Sequence, residues 1–326
     1  MKYLITGANG LVGSHLARHI LANGGEVRAT KRANSNLDFV GDIAQQIDWV
    51  EADILDVLGL ENAMKDIDFV IHAAAVVSFS PKKKVFMQKV NVEGTANVVN
   101  ACLENGIKKL AHISSVGAIG RPMKKTNLDE TQKWENSELN SYYSNTKYQA
   151  EQEVFRGIAE GLDAIIVNPS IVLGRGDLEQ SSSQLFKYVW ESKKYYPKGT
   201  LNYVDVRDVA LATFDLLHSE ISAERFILNG GNIPYPGFFE MVAQKLDKVV
   251  EPKLVEPWMG AIAWRWEKAK SIFTGKEPLL TRETVASSAS NITFNGNKVT
   301  KVANFKYRNL KNTIDWVTNG LLEGES

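Results

Sequence analysis

The sequence predicts an α/β protein, a doubly wound parallel sheet with a smaller, mainly helical C-terminal lobe. Three observations predict it. Through the first half, short β-rich apolar runs alternate with helix-length segments. Those β runs carry few charges, as strands buried on both faces of a parallel sheet must. After Pro169 the alternation stops, and from Pro236 on the chain reads as helical, with prolines and tryptophans.

The elements follow in order. "KYLIT" is the first strand and Gly10 to Asn23 the helix after it. "EVRAT" and "IDWVEAD" are the second and third strands, then Val57 to Lys65 a helix. "DFVIHAA" is the fourth strand, and one long helix is expected from Lys84 to Asn105. "KLAHISS" is the fifth strand, Ser141 to Glu160 a helix, and "DAIIVNPS" the sixth strand. Leu185 to Lys194 reads as a helix, and "LNYVDVRDVALATFDLL" as a strand tip and helix returning to the sheet. Residues 1–168, with 201–230 returning to them, therefore form the sheet domain. Residues 169–200 and 231–326 form a lobe over the strand ends, where open α/β sheets bind ligands.

Composition narrows the class. The 326 residues suit one large domain plus a smaller lobe. With 38 basic and 38 acidic residues, net charge gives no attraction to nucleic acid or an anionic membrane. No apolar run approaches the roughly 20 residues of a membrane span. "MKYLITGANG" passes from an apolar run into glycines without a cleavage site. The single cysteine, Cys102, excludes an intrachain disulfide and sits in a helical pattern as a buried thiol. A reducing, cytoplasmic setting is expected. The five histidines show no metal-ligand pattern; His15 and His19, four apart with no acidic helper, read as solvent-facing.

"LITGANGLVG" places Gly7, Gly10 and Gly13 between a strand and a helix start. Gly7 permits a tight turn, Gly10 lets backbone approach a pyrophosphate, and Gly13 lets the helix pack on the strand. The helix N-terminus offers N–H groups to that anion, and Asn9, Leu11 and Val12 belong to the same cradle. The sheet domain is thus expected to be a dinucleotide-binding, Rossmann-type one. An NAD-preferring second strand usually ends in an acid for the ribose 2′-hydroxyl. Here Lys31 and Arg32 stand there, followed by Asn34 and Ser35. Such cations suit a 2′-phosphate, so NADP(H) is the preferred cofactor and NAD(H) a possible one. Asp53 in "EADILD" reads, on physics alone, equally as a helix cap.

"NSYYSNTKYQ" holds Tyr142, Tyr143 and Lys147. Residues four apart share a helix face, so Tyr143 pairs with Lys147 and Tyr142 points elsewhere. A nearby ammonium is expected to lower the phenol from its usual value of about 10. In "AHISSVGAIG", Ser114 or Ser115 at a strand end is placed to donate to a carbonyl oxygen, or else to cap the strand end.

Taken together, the G-x-x-G-x-x-G spacing after Thr6, the strand-end serines and the Tyr/Lys helix resemble the extended short-chain dehydrogenases/reductases. "VIHAAAVVSF", "VNVEGTANVVNAC", "VNPSIVLGRGD" and "NYVDVRDVA" extend the resemblance over nearly the whole chain. The branch it resembles is the dihydroflavonol-reductase-like one, related to 3β-hydroxysteroid dehydrogenases. The resemblance implies that Ser115, five residues before Gly120, is the catalytic serine, with Ser114 beside it. It makes Tyr143 the proton donor, Lys147 the lysine that also binds the nicotinamide ribose, and Asn91 a supporting residue. It puts Asp53 and Ile54 at the adenine, Ala73, Ala74 and Ala75 along the cofactor, and Pro169 beside the nicotinamide. Ser78 and Phe79 in "AVVSF" are expected to border the substrate. Asn168 matches an asparagine that touches substrate phosphate in UDP-galactose epimerases.

The implied reaction is hydride transfer between the cofactor and a small-molecule carbonyl or alcohol. Dehydratases of this superfamily carry an Asp-Glu pair after the catalytic serine or threonine; here Val116 and Gly117 follow Ser115. Nucleotide-sugar epimerisation is the runner-up, supported by Asn168 and opposed by Leu201, which stands where many such enzymes have an arginine. A non-catalytic dinucleotide sensor is a third reading, opposed by the presence of both Tyr143 and Lys147. Of the lobe aromatics Phe186, Tyr188, Trp190, Tyr195, Tyr196, Trp258, Trp264 and Trp266, most are expected in the core and about two at a pocket. No metal, nucleic-acid or membrane partner is expected. Many relatives pair through the helices matching 84–105 and 141–160, so a homodimer is a possible assembly.

Overall fold

Seven strands meet in one parallel sheet: β1 (Lys2–Thr6), β2 (Glu26–Lys31), β3 (Ile47–Glu51), β4 (Phe69–His72), β5 (Lys109–Ile113), β6 (Ala164–Pro169) and β7 (Glu224–Leu228). Their order across the sheet is β3-β2-β1-β4-β5-β6-β7. The order reverses between β1 and β4, which leaves a crevice at the carboxyl ends of those strands. The computed structural model describes residues 1–122, 125–176, 182–249, 251–274, 281–303 and 305–323. β5 and β6 are buried along their whole length, including the polar Lys109, His112 and Asn168, as strands covered on both faces of a parallel sheet are.

The helices in chain order are α1 (Leu11–Ala22), α2 (Val57–Ala63), α3 (Lys84–Gln88), α4 (Gly94–Glu104), α5 (Tyr142–Ala159), α6 (Ser183–Trp190), α7 (Val206–Leu217), α8 (Tyr235–Lys245), α9 (Pro257–Thr274), α10 (Arg282–Ser288), α11 (Asn297–Val302) and α12 (Leu310–Leu322). One sheet face is covered by α1 and α7, through Leu16, Ile20, Val209 and Leu216. The other is covered by α2, α4 and α5, through Leu60, Val98, Val99 and Val154. Cys102 lies in that second layer, fully buried, and burial pushes its thiol up. A third cluster, with Phe186, Tyr196, Leu201, Phe238, Phe239 and Ile314, holds the lobe. No described helix is long and apolar enough to cross a membrane.

Three features depart from the sequence reading. β7, "ERFIL", was not expected; its exposed Glu224 and half-buried Arg225 break the apolar run, and pairing of Phe226 with Val167 makes it a strand. The strand tip at Thr200–Asp205 does not join the main sheet. It forms a three-stranded sheet, parallel to Ile171–Leu173 and antiparallel to Gly231–Pro234. The long helix from Lys84 is interrupted by a π-helical turn at Lys89–Glu93, a distortion common at functional sites.

The lobe aromatics also divide differently. Phe186 and Tyr196 are core. Trp258 and Trp266, however, are 64% and 72% exposed on α9, and Tyr195 and Trp190 are exposed as well. His15 and His19 are half-buried rather than solvent-facing, edge-on to Trp316 and Phe214.

Candidate active site

β1 ends at Thr6 and the chain turns at Gly7 with φ +75°, the left-handed region that glycine alone enters without strain. A Cβ on Gly7 would stand 2.7 Å from the Ala74 nitrogen, and one on Gly13 would stand 2.1 Å from the Gly7 carbonyl oxygen. These two glycines therefore set how closely α1 and the segment after β4 approach β1. Gly10 is the N-cap of α1, with no side-chain cap and no acidic residue in the first turn. The first-turn N–H groups, at Leu11, Val12 and Gly13, are thus left for an anion. Asn9 Nδ2 donates to the Asn36 carbonyl at 3.1 Å and ties the loop to the segment after β2.

At the end of β2, Lys31 is half-buried and Arg32 exposed, and neither has an ion pair among the described residues. The Arg32 N–H donates to Ser35 Oγ at 3.0 Å. Asp53 Oδ1 accepts the Leu55 N–H at 2.9 Å, while Asp56 is the residue that caps α2. Asp53 is therefore not a helix cap. Ile54 packs where a Cβ on Gly94 would fall. Thr6 fixes the loop after β4: its carbonyl accepts the Ala73 N–H at 3.0 Å and its Oγ1 the Ala74 N–H at 3.3 Å. Ala75 follows, exposed. These groups form a bed that fits a dinucleotide, with free N–H groups at the start of α1 and Lys31 and Arg32 at the end of β2.

β5 delivers the serines. Ser115 caps the 3₁₀ turn Val116–Ile119, its Oγ accepting the Gly117 N–H at 3.0 Å, which leaves its own proton to donate. Ser141 caps α5, its Oγ accepting the Ser144 N–H at 3.0 Å, and so sets the first turn that carries Tyr143. The Tyr143 hydroxyl lies near the Ser115 side chain, close enough for Ser115 to ease its phenol. Tyr142 turns away, with the Lys84 ammonium 5.0 Å over its ring.

Lys147 is 1% exposed, and its Nζ donates to the Ile113 carbonyl at 3.0 Å and lies 3.5 Å from His112 Nε2. Burial lowers its ammonium to about 8, with Glu151 acting in the opposite sense. The expected lowering of the Tyr143 phenol does not occur. Tyr143 keeps part of its surface open but is densely surrounded, and burial raises it to about 12, eased only by Ser115. The Lys147 charge is engaged with β5 instead.

Asn91 lies in the π-helical turn. Its Oδ1 accepts the Val76 N–H at 2.7 Å; its Nδ2 donates to the Val76 carbonyl at 2.9 Å and to Thr146 Oγ1 at 3.1 Å. It therefore clamps the loop after β4 to α5. Along that loop Ser78 is buried, its Oγ accepting the Ser80 N–H, and exposed Phe79 stands edge-on to Tyr143, ring centroids 6.3 Å apart. Asn168, with Pro169 next to it at the end of β6, is fully buried. Its amide faces inward, donating to the Ser115 carbonyl at 2.9 Å and to Glu151 Oε1 at 2.5 Å.

Glu151 is a residue the sequence reading missed. It is fully buried, and its Oε1 also accepts from Ser114 Oγ at 2.5 Å, while Arg225 NH1 lies 3.6 Å from Oε2. Glu151 thus joins α5 to the ends of β5 and β6 and to Arg225 near the start of β7. One signal was available: Tyr143, Lys147 and Glu151 follow at intervals of four, one helix face. Nothing comparable announces Arg225, whose place depends on β7.

Two buried histidines underlie the site. His72 Nδ1 meets Thr6 Oγ1 at 2.7 Å and its Nε2 meets Thr95 Oγ1 at 3.0 Å, with the His112 ring 5.2 Å away. Burial, then the Lys147 charge, lowers His72 from 6.5 to about 3, and His112 also falls well below its ordinary value. Between those limits the unfolded chain binds more protons, so stability rises with pH there and falls on acidification. Glu151, raised by burial, works in the opposite direction within its own range. Replacing His72 by Gln should flatten the acid limb by up to one proton, about 1.4 kcal/mol per pH unit. Denaturant unfolding at a series of pH values measures this; an unchanged slope would refute it.

Comparison with known proteins agrees with this architecture. The model of the NAD dependent epimerase/dehydratase family matches residues 3–225. The chain belongs to that family, the extended short-chain dehydrogenases/reductases, and is an NAD(P)-dependent oxidoreductase by class. It is 28% identical over 328 residues to a Synechocystis sp. protein named for dihydroflavonol 4-reductase, covering 97% of this chain and 94% of that one. The crystal structure of gox2253 superposes with a TM-score of 0.83 at 30% identity, over 99% of this chain and 98% of that one. UDP-glucose 4-epimerase from Thermotoga maritima, at 18% identity and full coverage of both chains, has a TM-score of 0.82, which shows the shared fold alone.

Proposed function

We propose that the chain is an NADP(H)-dependent oxidoreductase that reduces a ketone or aldehyde, or oxidises the matching alcohol. The placing of Ser115 at the end of β5 and of Tyr143 in the first turn of α5, near each other and beside the dinucleotide bed, carries this reading. The bound nicotinamide supplies or accepts the hydride. Tyr143, held protonated by burial, gives its proton to the carbonyl oxygen as that oxygen gains charge. Ser115 donates to the same oxygen, its lone pair already engaged by the Gly117 N–H. Lys147 lies on the Tyr143 face of α5, its ammonium donating to the Ile113 carbonyl, and Asn91 fixes the loop after β4 to α5. A phenol raised to about 12 donates readily to a forming alkoxide but is a poor base at neutral pH.

Lys31 and Arg32 support NADP(H), because two cations without acidic partners stand beyond β2. The epimerase reading is weakened by Leu201 and by Asn168, whose amide is committed inward. Screening NADPH and NADH oxidation with ketones and aldehydes, beside UDP- and dTDP-sugars, tests the proposal. Carbonyl-dependent NADPH oxidation is expected. The double variant Lys31→Ala, Arg32→Ala should raise KM for NADPH by about 10-fold or more and leave that for NADH nearly unchanged, the loss of one or two charge-assisted contacts. Better turnover with NADH at limiting cofactor would overturn the NADP(H) assignment, and conversion of sugars without net oxidation would overturn the reductase one.

A further inference from the structure

A cavity of about 50 Å³ lies beside the proposed reaction centre. It is bounded by Val116, which follows Ser115, by the strand Thr200–Asp205, and by the starts of α8 and the end of α10. Arg121 opens onto it. Arg121 is half-buried, and its guanidinium has no ion pair or hydrogen bond among the described residues; only its backbone N–H is engaged, by Asn140 Oδ1 at 2.8 Å. By contrast, Arg18, Arg28, Arg207 and Arg308 each hold a carboxylate. Burial pulls the Arg121 guanidinium down, as expected of a cation without a counter-charge.

No acidic residue lines the cavity among the described residues. Its polar groups divide into two sets. Asn202 is satisfied, donating to the Ile292 carbonyl at 2.9 Å and accepting the Phe294 N–H at 3.2 Å. Ser290 accepts the Ile292 N–H at 3.2 Å, and Thr200 donates to Asn291 Oδ1 at 3.5 Å. The Arg121 guanidinium and the hydroxyls of Tyr235 and Ser287 have no acceptor among the described residues. Tyr235 is 8% exposed and near enough for Arg121 to draw its phenol down against the burial that raises it. None of these three donors is sealed from solvent, so an anion entering the cavity replaces water on them and gains charge-assisted hydrogen bonds. The space is small, partly open and large enough for a carboxylate.

We infer that this cavity takes a carboxylate of the substrate, with Arg121 as its counter-charge and Tyr235 and Ser287 as further donors, so that the substrate is a carbonyl acid. Val116 beside Ser115, and Ile171 just after Pro169, put the cavity against the ends of β5 and β6. The acid group and the carbonyl of one molecule can then be held together. The link to a carbonyl rests on Tyr143 and Ser115 being the reaction centre; the anion site itself does not.

The test uses the full chain and two nearly isosteric pairs, 4-oxopentanoate and 4-oxo-4-phenylbutanoate, each beside its primary amide. Calorimetric binding reads the site without turnover, and NADPH oxidation reads the reaction. The acids should bind about 10- to 100-fold tighter than the amides, the effect of a charge-assisted contact. Arg121→Met should abolish that preference, and Arg121→Lys should restore part of it, which separates lost charge from lost folding. Equal binding of acid and amide, no binding of either acid, or a preference that survives Arg121→Met would overturn the inference. Arg121-dependent binding of inorganic phosphate without binding of the acids would overturn the carboxylate assignment. Acid binding without NADPH oxidation would leave the anion site standing and count against the reductase reading alone.

Discussion

Tyr143→Phe should lower turnover by about 10²- to 10⁴-fold, the contribution of a positioned general acid. The substitution keeps the ring, so the edge contact with Phe79 and the packing of α5 survive. It removes only the hydroxyl near Ser115. Cofactor affinity should change little, because the glycine loop and the β2 cations are untouched. Single-turnover NADPH oxidation separates the two effects. Tyr142→Phe is the control: that ring sits under Lys84, its hydroxyl 3.4 Å from Gln88 Oε1, and turnover should stay near the parent value. Retention of most activity by Tyr143→Phe would remove Tyr143 from the reaction.

Gly13→Ala should cost about 3 kcal/mol or more of stability and abolish dinucleotide binding. Its Cβ would sit 2.1 Å from the Gly7 carbonyl oxygen and 2.8 Å from the Ala8 Cα. Both are backbone atoms, so α1 must lift off β1, and the N–H cradle lifts with it. Gly10→Ala is the instructive neighbour. There the nearest atom would be the Gly7 oxygen at 3.4 Å, an ordinary contact. Its fold should be nearly unaffected, while a methyl group enters the cradle and weakens cofactor binding. Thermal unfolding and calorimetric NADPH binding, measured on both variants, distinguish a packing glycine from a ligand glycine. Parent-like stability in Gly13→Ala would refute the close approach.

Much of the fold was legible because its signals are local. Six strands of the main sheet are short runs with the right flanks, and the Gly7-Gly10-Gly13 loop is a contiguous motif whose spacing mirrors a strand–turn–helix geometry. Helical periodicity alone separates Tyr143 from Tyr142. Three kinds of feature were not legible. β7 became a strand only through pairing with β6, since its two leading charged residues hide the apolar run. The π-helical turn at Lys89–Glu93 leaves no mark in a sequence that reads as continuous helix. The outward faces of Trp258 and Trp266 contradict the rule that large aromatics go inside, because burial depends on what packs against α9.

The sequence by itself determined the class of the molecule: the parallel sheet, the dinucleotide loop, and the serine, tyrosine and lysine on successive elements. Those are one-dimensional patterns, fixed by helix and strand periods and by where glycine is needed. Tertiary structure alone decided the electrostatics around them. It buried Lys147 against β5, so that its charge does not lower Tyr143. It turned Asn168 inward to Glu151, and it left Arg121 without a carboxylate among the described residues. Desolvation and pairing of charge depend on neighbours far apart in the chain, and no spacing along it encodes them.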